Sequence, residues 1–120
     1  MEELNDLQDV SFIQAQSFEN WVVLFKHSTR CSISSMALNR FKTILAELEN
    51  AALVYYLDLI KYRNISNKLA EVFNIQHESP QVLIIKDGKC VYHASHLNIN
   101  TSDIMASIAS VKNKWKLYPV

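Results

Sequence analysis

The sequence predicts an α/β fold in which helices flank a mixed four-stranded β-sheet. Two short, continuous apolar runs are each followed by a segment of helical periodicity, which is typical of buried parallel strands joined by crossover helices. An Asp-Gly pair then separates two further strand-like segments and predicts a hairpin. Because 120 residues without a linker or a repeat fit one hydrophobic core, we expect a single domain over residues 1–120.

The first half of the chain supplies two helices and the first strand. Ser11 and Gln14 have the spacing of a capping box and predict a short helix over residues 11–18. The apolar run over residues 21–27 predicts a strand buried on both faces. A polar turn follows, and then a helix is expected over residues 32–50. Four apolar side chains recur there at helical spacing: Phe41, Ile44, Leu45 and Leu48.

The middle of the chain repeats the strand–helix pattern. A second buried strand is expected over residues 53–58. An amphipathic helix should follow it, with Asn64 as the N-cap. Asn74 is expected to end this helix in the left-handed conformation.

The last third predicts the hairpin and a final helix. Strands over residues 81–86 and 90–94 should pair antiparallel around Asp87-Gly88. Thr101 is expected to cap a helix over residues 101–111. The resulting order, α-β-α-β-α-β-β-α, is that of a thioredoxin-like fold.

Composition excludes several functional classes. Basic and acidic side chains balance to a formal net charge of zero, whereas a nucleic-acid-binding domain carries a basic surface. The single glycine, Gly88, leaves no glycine-rich loop for a nucleotide phosphate. No cysteine or histidine pair has the spacing of a structural zinc site. We therefore expect no nucleic-acid partner, no metal and no resident cofactor.

The N-terminal segment and the cysteine count predict a cytoplasmic protein. Every charged residue before Asn20 is acidic, unlike the basic start of a signal peptide. The apolar runs are too short to cross a bilayer, so no membrane partner is expected. Two cysteines, Cys31 and Cys90, are too few for a disulfide framework, which a cytosolic protein would not keep.

Cys31 is the expected catalytic nucleophile. It stands where the first buried strand gives way to a helix, and open α/β sheets bind ligands at the carboxyl ends of their strands. The unpaired N–H groups of a first helical turn carry partial positive charge and stabilise a thiolate. The adjacent Arg30 is expected to add to this support.

The residues at positions 34 and 90 indicate whether the expected thiol–disulfide chemistry uses one cysteine or two. In the run Cys31-Ser32-Ile33-Ser34, a hydroxyl replaces the second thiol of a Cys-x-x-Cys motif, so we expect a monothiol in which Ser34 donates a hydrogen bond to the thiolate. Cys90 should lie roughly 20 Å from the active edge. Two alternatives stay open. One is a dithiol enzyme that pairs Cys31 with Cys90 after a rearrangement, and the other is a non-catalytic adaptor that binds partners through the Pro80 edge.

Ser79-Pro80 and His96 complete the candidate site. A proline is tolerated at the start of a strand. In a thioredoxin-like fold this proline is cis and faces the nucleophile, and Ser79 then presents its backbone to an extended substrate. The fourth strand returns toward the same edge, so its exit should place His96 near Cys31, where a cation would stabilise a thiolate.

These residues together resemble the monothiol bacilliredoxins, the YtxJ-like proteins of the bacillithiol system. The resemblance spans about residues 11–111 and rests on four segments: Phe25-Lys26-His27-Ser28-Thr29, Cys31-Ser32-Ile33-Ser34, His77-Glu78-Ser79-Pro80-Gln81 and His93-Ala94-Ser95-His96. The family typically has Thr-Cys-Pro-Ile-Ser. Here Arg30 lies between Thr29 and Cys31, and Ser32 replaces the proline.

The resemblance implies a thiol–disulfide oxidoreductase with a thioredoxin fold. Cys31 would take bacillithiol from protein mixed disulfides, while Thr29, Ser79 and Pro80 would contact the substrate. The implied partners are S-bacillithiolated client proteins, with bacillithiol, the small thiol of low-GC Gram-positive bacteria, as the thiol co-substrate.

Overall fold

The computed structural model describes the backbone of residues 1–117 and the side chains of residues 1–109. The sequence also predicts an inward-facing Val111 and a basic tail that includes Trp115, and both of these expectations fall on side chains outside the described ones. The elements in chain order are β1 (Glu2–Glu3), α1 (Gln8–Gln16), β2 (Trp21–His27), α2 (Ser32–Lys42), α3 (Leu45–Glu49), β3 (Ala52–Asp58), α4 (Arg63–Phe73), β4 (Gln81–Lys86), β5 (Lys89–Ser95), a 3-10 turn (His96–Asn98) and α5 (Thr101–Leu117). None of the described helices is long and apolar enough to cross a membrane.

The strands form one mixed sheet in the order β1-β3-β2-β4-β5. β1, β3 and β2 run parallel, β4 pairs antiparallel with β2, and β5 pairs antiparallel with β4. The predicted α/β class is confirmed, but within the described residues the sheet has five strands where four were expected. The extra strand, Glu2–Glu3, has no apolar pattern that would predict a strand. It is defined by its pairing with Tyr55 and Tyr56.

The central apolar runs form strands because helices cover both faces of the sheet. Side chains alternate along β2, so Val23 and Phe25 face α2 and α5, while Val22 and Leu24 face α1 and α4. All four side chains are fully buried. Each such burial contributes roughly 1.5–3 kcal/mol to folding, so both core layers hold the central strand in place.

α1 spans Gln8–Gln16, whereas the sequence predicted a helix over residues 11–18. The Asp6 carboxylate accepts the Gln8 N–H at 2.8 Å, and the Asp9 carboxylate accepts the Asp6 N–H at 3.1 Å. The bond to Asp9 is that of a capping box, while the Asp6 carboxylate accepts the N–H two residues further on, as an N-cap side chain also can. Asp6 and Asp9 therefore start the helix, in place of the Ser-x-x-Gln pair further along.

The helix predicted over residues 32–50 is two helices, α2 and α3. Between them, the N–H groups of Thr43 and Ile44 donate to carbonyls one 3-10 turn earlier, at 3.0 and 3.1 Å. The Thr43 hydroxyl also donates to the Arg40 carbonyl at 2.6 Å and competes with the helical bonding pattern. Because the apolar periodicity continues through this break, the sequence pattern did not reveal it.

The predicted helix caps are partly wrong. Asn64 lies inside the first turn of α4 rather than at its N-cap. The side-chain oxygen of Asn100 accepts the Asp103 N–H at 3.1 Å, so Asn100 caps α5 and Thr101 is its first helical residue. The predicted left-handed stop at Asn74 is confirmed by its φ of 51°.

The hairpin turn between β4 and β5 has the predicted form. Asp87 and Gly88 both have positive φ, 54° and 77°, as a type I′ turn requires. A Cβ atom added to Gly88 would lie 2.8 Å from Cζ of Phe18. The glycine therefore meets two requirements, a left-handed backbone and a close neighbouring ring.

Gly88→Ala should lower the free energy of unfolding by about 1–2 kcal/mol, because an L side chain in the left-handed region is strained. Urea denaturation measures the loss. The Phe18 ring is exposed and free to move aside, so Gly88→Ala should cost nearly as much in a Phe18→Ala background. If the cost vanished in that background, the ring contact rather than the backbone would explain it.

Candidate functional site

Cys31 and Pro80 leave the sheet at the same edge. β2 runs toward this edge and leads into the turn that carries Cys31. β4 starts from it, because its first residue, Gln81, pairs antiparallel with Lys26 near the end of β2. The structure therefore brings the two residues to the carboxyl edge of the parallel strands, where open α/β sheets bind ligands.

Cys31 is the N-cap residue of α2. Its backbone is extended (φ −115°, ψ 121°), and its side chain makes no capping hydrogen bond. The Cys31 N–H donates to the Ser28 carbonyl at 3.2 Å, and the Cys31 carbonyl accepts the Ser35 N–H at 3.1 Å. The half-buried Cys31 thus stands at the N-terminus of α2, where unpaired N–H groups carry partial positive charge and where reactive thiols occur.

His96 lies at the same edge, directly after β5 ends. Its N–H donates to the Pro80 carbonyl at 2.9 Å, and its backbone is left-handed, with φ 55°. The exposed His96 and Leu97 line a shallow cleft together with Ile33 and Met36 of α2. His96 is therefore beside the start of the helix that carries the cysteine, and its support of the thiolate stays a prediction.

Ser34 holds the start of the turn between β2 and Cys31. The Ser34 hydroxyl is fully buried, accepts the Ser28 N–H at 3.0 Å and lies 2.6 Å from Nδ1 of His27. Burial lowers the pKa of His27, which keeps its ring neutral at pH 7. Both contacts run to the base of the turn rather than to the sulfur, so the predicted hydrogen bond from Ser34 to the Cys31 thiolate stays a prediction.

Thr29 and Arg30 occupy the exposed part of this turn. Neither is held in the core, so both side chains are open to a substrate that approaches Cys31. Their predicted roles, substrate contact for Thr29 and thiolate support for Arg30, stay predictions.

The Ser79–Pro80 peptide bond is cis, as expected for this position. Pro80 is buried at the start of β4. Among the described side chains, the Ser79 hydroxyl is the one buried polar group without a hydrogen-bond partner. A buried polar group that the protein leaves unpaired is a candidate for pairing with a ligand.

A buried lysine lies beneath this loop, and the sequence pattern did not predict its burial. Lys26 is fully buried, and its ammonium donates to Oε1 of Gln81 at 3.1 Å and to Nδ1 of His77 at 2.9 Å. Because an ammonium group only donates, Nδ1 must accept, which places the His77 ring proton on Nε2. Ser66 Oγ lies 2.9 Å from the same Nδ1. The lysine at the end of an apolar run was the one local sign of this cluster.

The charges around Lys26 shift the titration of the cluster. Burial, followed by the nearby Arg63, lowers the pKa of Lys26 to about 8, against the opposing effect of Glu78. Burial and the Lys26 charge lower the pKa of His77, so this imidazole is neutral at pH 7. The cluster therefore holds one buried cation and one neutral histidine.

Cys90 lies at the other end of the sheet. It pairs with Ile85 beside the hairpin, while Ser95 at the far end of the same strand pairs with Gln81. At about 3.3 Å per residue, Cys90 is roughly 17 Å from the active edge, whereas a disulfide needs Cα atoms within about 7 Å. Burial also raises the pKa of the Cys90 thiol, which makes this thiol less reactive at neutral pH.

The described side chains contain no group of three His, Cys, Asp or Glu that could hold a metal ion. At the active edge, the described residues place one half-buried thiol together with a cis-proline.

Several solved structures have folds similar to that of this chain. One, provisionally described as an oxidoreductase with a thioredoxin fold, is 29% identical and has a TM-score of 0.77 over 90% of this chain and 92% of that one. Fasciola hepatica thioredoxin is 16% identical, with a TM-score of 0.69 over 92% and 98%. Saccharomyces cerevisiae mitochondrial thioredoxin 3 is 15% identical, with a TM-score of 0.71 over 92% and 94%. The last two matches show the fold alone.

The fold and the single cysteine at its active edge define a thiol oxidoreductase of the thioredoxin superfamily. Residues 2–104 match the family model described as monothiol bacilliredoxin BrxC. The chain belongs to this family, and the resemblance noted from its motifs is confirmed.

The wild-type protein should gain stability relative to Lys26→Met as the pH rises from 8 to 10.5. Burial lowers the pKa of Lys26 from 10.5 to about 8. In this interval the unfolded chain keeps a proton that the folded chain has released, so the free energy of unfolding rises with pH. Below pH 8 both states are protonated, and the folded state bears the full desolvation cost, on the order of 3 kcal/mol.

Urea unfolding of both proteins at several pH values measures this difference. The comparison cancels the titration of Tyr55 and Tyr56, whose pKa values burial raises. A difference between the two proteins that stays constant with pH would contradict a lowered Lys26 pKa.

Ser79→Ala should raise the free energy of unfolding by about 1 kcal/mol, because it removes a buried hydroxyl that has no partner. Ser66→Ala is the matched control, since its hydroxyl is bonded to His77 and its loss should lower stability. Thermal unfolding of the two variants tests the pair. Equal losses in both would mean that the Ser79 hydroxyl is bonded in solution.

Proposed function

We propose that this protein removes bacillithiol from the mixed disulfides of client proteins through Cys31. The observation that carries the proposal is a single half-buried thiol at the N-cap of α2, on the same sheet edge as a cis-proline. The match to the monothiol bacilliredoxin family supports the same reaction. Such exchange belongs in a compartment that keeps thiols reduced, and we place the protein in the cytoplasm.

The reaction is two thiol–disulfide exchanges. The Cys31 thiolate attacks the bacillithiol sulfur of the mixed disulfide, the old S–S bond breaks, and the client leaves as a thiolate with the bonding electron pair. Cys31 now carries bacillithiol. A second bacillithiol thiolate then attacks the carried bacillithiol sulfur, which releases Cys31 as a thiolate and forms oxidised bacillithiol. No other oxidant or reductant is needed.

The surroundings of Cys31 suit a protein client. Three large apolar side chains on α2 and on the neighbouring 3-10 turn are exposed: Leu97 (75%), Met36 (55%) and Ile33 (43%). Exposed apolar clusters of this kind mark contact surfaces. The Ser79 backbone beside the cis bond and the exposed Thr29 offer polar contacts for an extended client segment.

Charge around the sulfur favours the thiolate in each step. Arg30 is adjacent to Cys31 in the turn and brings a guanidinium group. His96 stands at the same edge and is proposed as the second group that supports the thiolate. The helix N-terminus supplies partial positive charge that does not depend on pH.

The test uses a client protein that carries bacillithiol on one cysteine. Wild type and Cys90→Ser should release bacillithiol at similar rates, because Cys90 lies at the far end of the sheet, while Cys31→Ser should release it at least 100-fold more slowly, since no second thiol is in reach. Mass spectrometry should find one bacillithiol on Cys31. The same client carrying glutathione tests the choice of small thiol.

Other outcomes have defined meanings. A Cys31–Cys90 disulfide in the oxidised monomer would support a dithiol enzyme. Binding to the client without any release by wild type would support an adaptor. Equal release from both conjugates would remove the preference for bacillithiol.

A further inference from the structure

The buried Lys26 has no part in the exchange steps above. It lies on the same face of β2 as Val22 and Leu24, opposite the face that packs against α2. Lysine is almost never fully buried unless it is paired. The contacts of Lys26 should therefore show why a cation lies in an otherwise apolar layer.

The partners of Lys26 all belong to the cis-proline loop or its supports. The ammonium bonds to His77 and Gln81, which stand on either side of the Ser79–Pro80 bond. Gln81 Nε2 in turn donates to the Gln76 carbonyl at 3.0 Å. One side chain thus connects both ends of the loop.

The outer side of the loop is held independently. The Ser95 hydroxyl donates to the Glu78 carboxylate, and the Pro80 carbonyl accepts the His96 N–H at 2.9 Å. Contacts from α4, β2 and β5 therefore converge on a loop of a few residues. Such a loop has few alternative conformations once these bonds are made.

Stability alone does not account for the lysine. Apolar side chains in place of the whole cluster of Lys26, His77 and Gln81 would avoid the cost of desolvating an ammonium, and such replacement of a complete buried charged cluster is often neutral or stabilising. A buried charge of this kind is explained better if it fixes one geometry, here that of the loop.

We propose that Lys26 is a positioning residue, whose ammonium holds the Ser79–Pro80 loop in the shape that receives an extended client segment. The inference rests on the proposed function and extends it to substrate choice. A client peptide must pair with the loop backbone, whereas a small disulfide needs only Cys31. Lys26 therefore favours peptide and protein substrates over small ones.

The experiment compares two substrates across three proteins. The substrates are a peptide carrying bacillithiol as a mixed disulfide, and oxidised bacillithiol without a peptide. The proteins are wild type, Lys26→Met and Lys86→Met. The last is the matched control, because Lys86 lies at the opposite end of β4, 3.4 Å from the Ser17 carbonyl.

Lys26→Met should raise the KM for the peptide substrate by about tenfold, the scale of one hydrogen bond to a charged group. Its rate with the small disulfide should change less than about twofold, since Cys31 is untouched. Lys86→Met should show neither effect. Equal losses on both substrates, or no loss on either, would overturn the proposal.

Ser66→Ala provides a second route if Lys26→Met does not fold. It removes one hydrogen bond to His77 and leaves the buried charge in place, so the peptide KM should rise by about two- to threefold with the small-disulfide rate unchanged. An unchanged peptide KM would overturn the proposal. Failure of wild type itself to react through Cys31 would instead contradict the proposed function.

Discussion

The antiparallel pairing of β2 with β4 is the interaction on which the site depends. Lys26 is paired with Gln81, so the last residues of one strand and the first residues of the other lie side by side. The end of β2 leads into the Cys31 turn, and the Pro80 loop leads into the start of β4. A slip of one residue would turn every side chain of β2 to the other face. Lys26 would then lose His77 and Gln81, and His27 would lose Ser34, so these polar contacts oppose such a slip.

Lys26 and His27, neighbours in β2, each support a different segment of the site. Because side chains alternate along a strand, Lys26 points to the α4 face and His27 to the α2 face. His27 contacts Ser34, which holds the turn before the cysteine, while Lys26 contacts the loop around the proline. A neutral ring and a buried cation on opposite faces thus fix the two segments that must face each other.

The sequence predicted the features that depend on local signals. The bounds of β2 and β4 and the Asp87-Gly88 turn follow from continuous apolar runs and one turn pair, and the structure confirms them. The break before α3 escaped prediction because Thr43 acts through its hydroxyl bond while the apolar periodicity continues. The Lys26 cluster escaped prediction because its partners come from residues distant in sequence, and no local pattern joins Lys26 to His77 or Ser66.

The position of Cys90 at the hairpin end of the sheet determines how the proposed cycle can end. The chain has two cysteines, and only Cys31 stands at the active edge. Under the proposed function, the loaded protein therefore cannot discharge itself by forming an internal disulfide. Its recovery is bimolecular, so the lifetime of the loaded form is inversely proportional to the concentration of free small thiol around it. When that pool is depleted, the protein accumulates in its loaded form and removal of bacillithiol from clients stops.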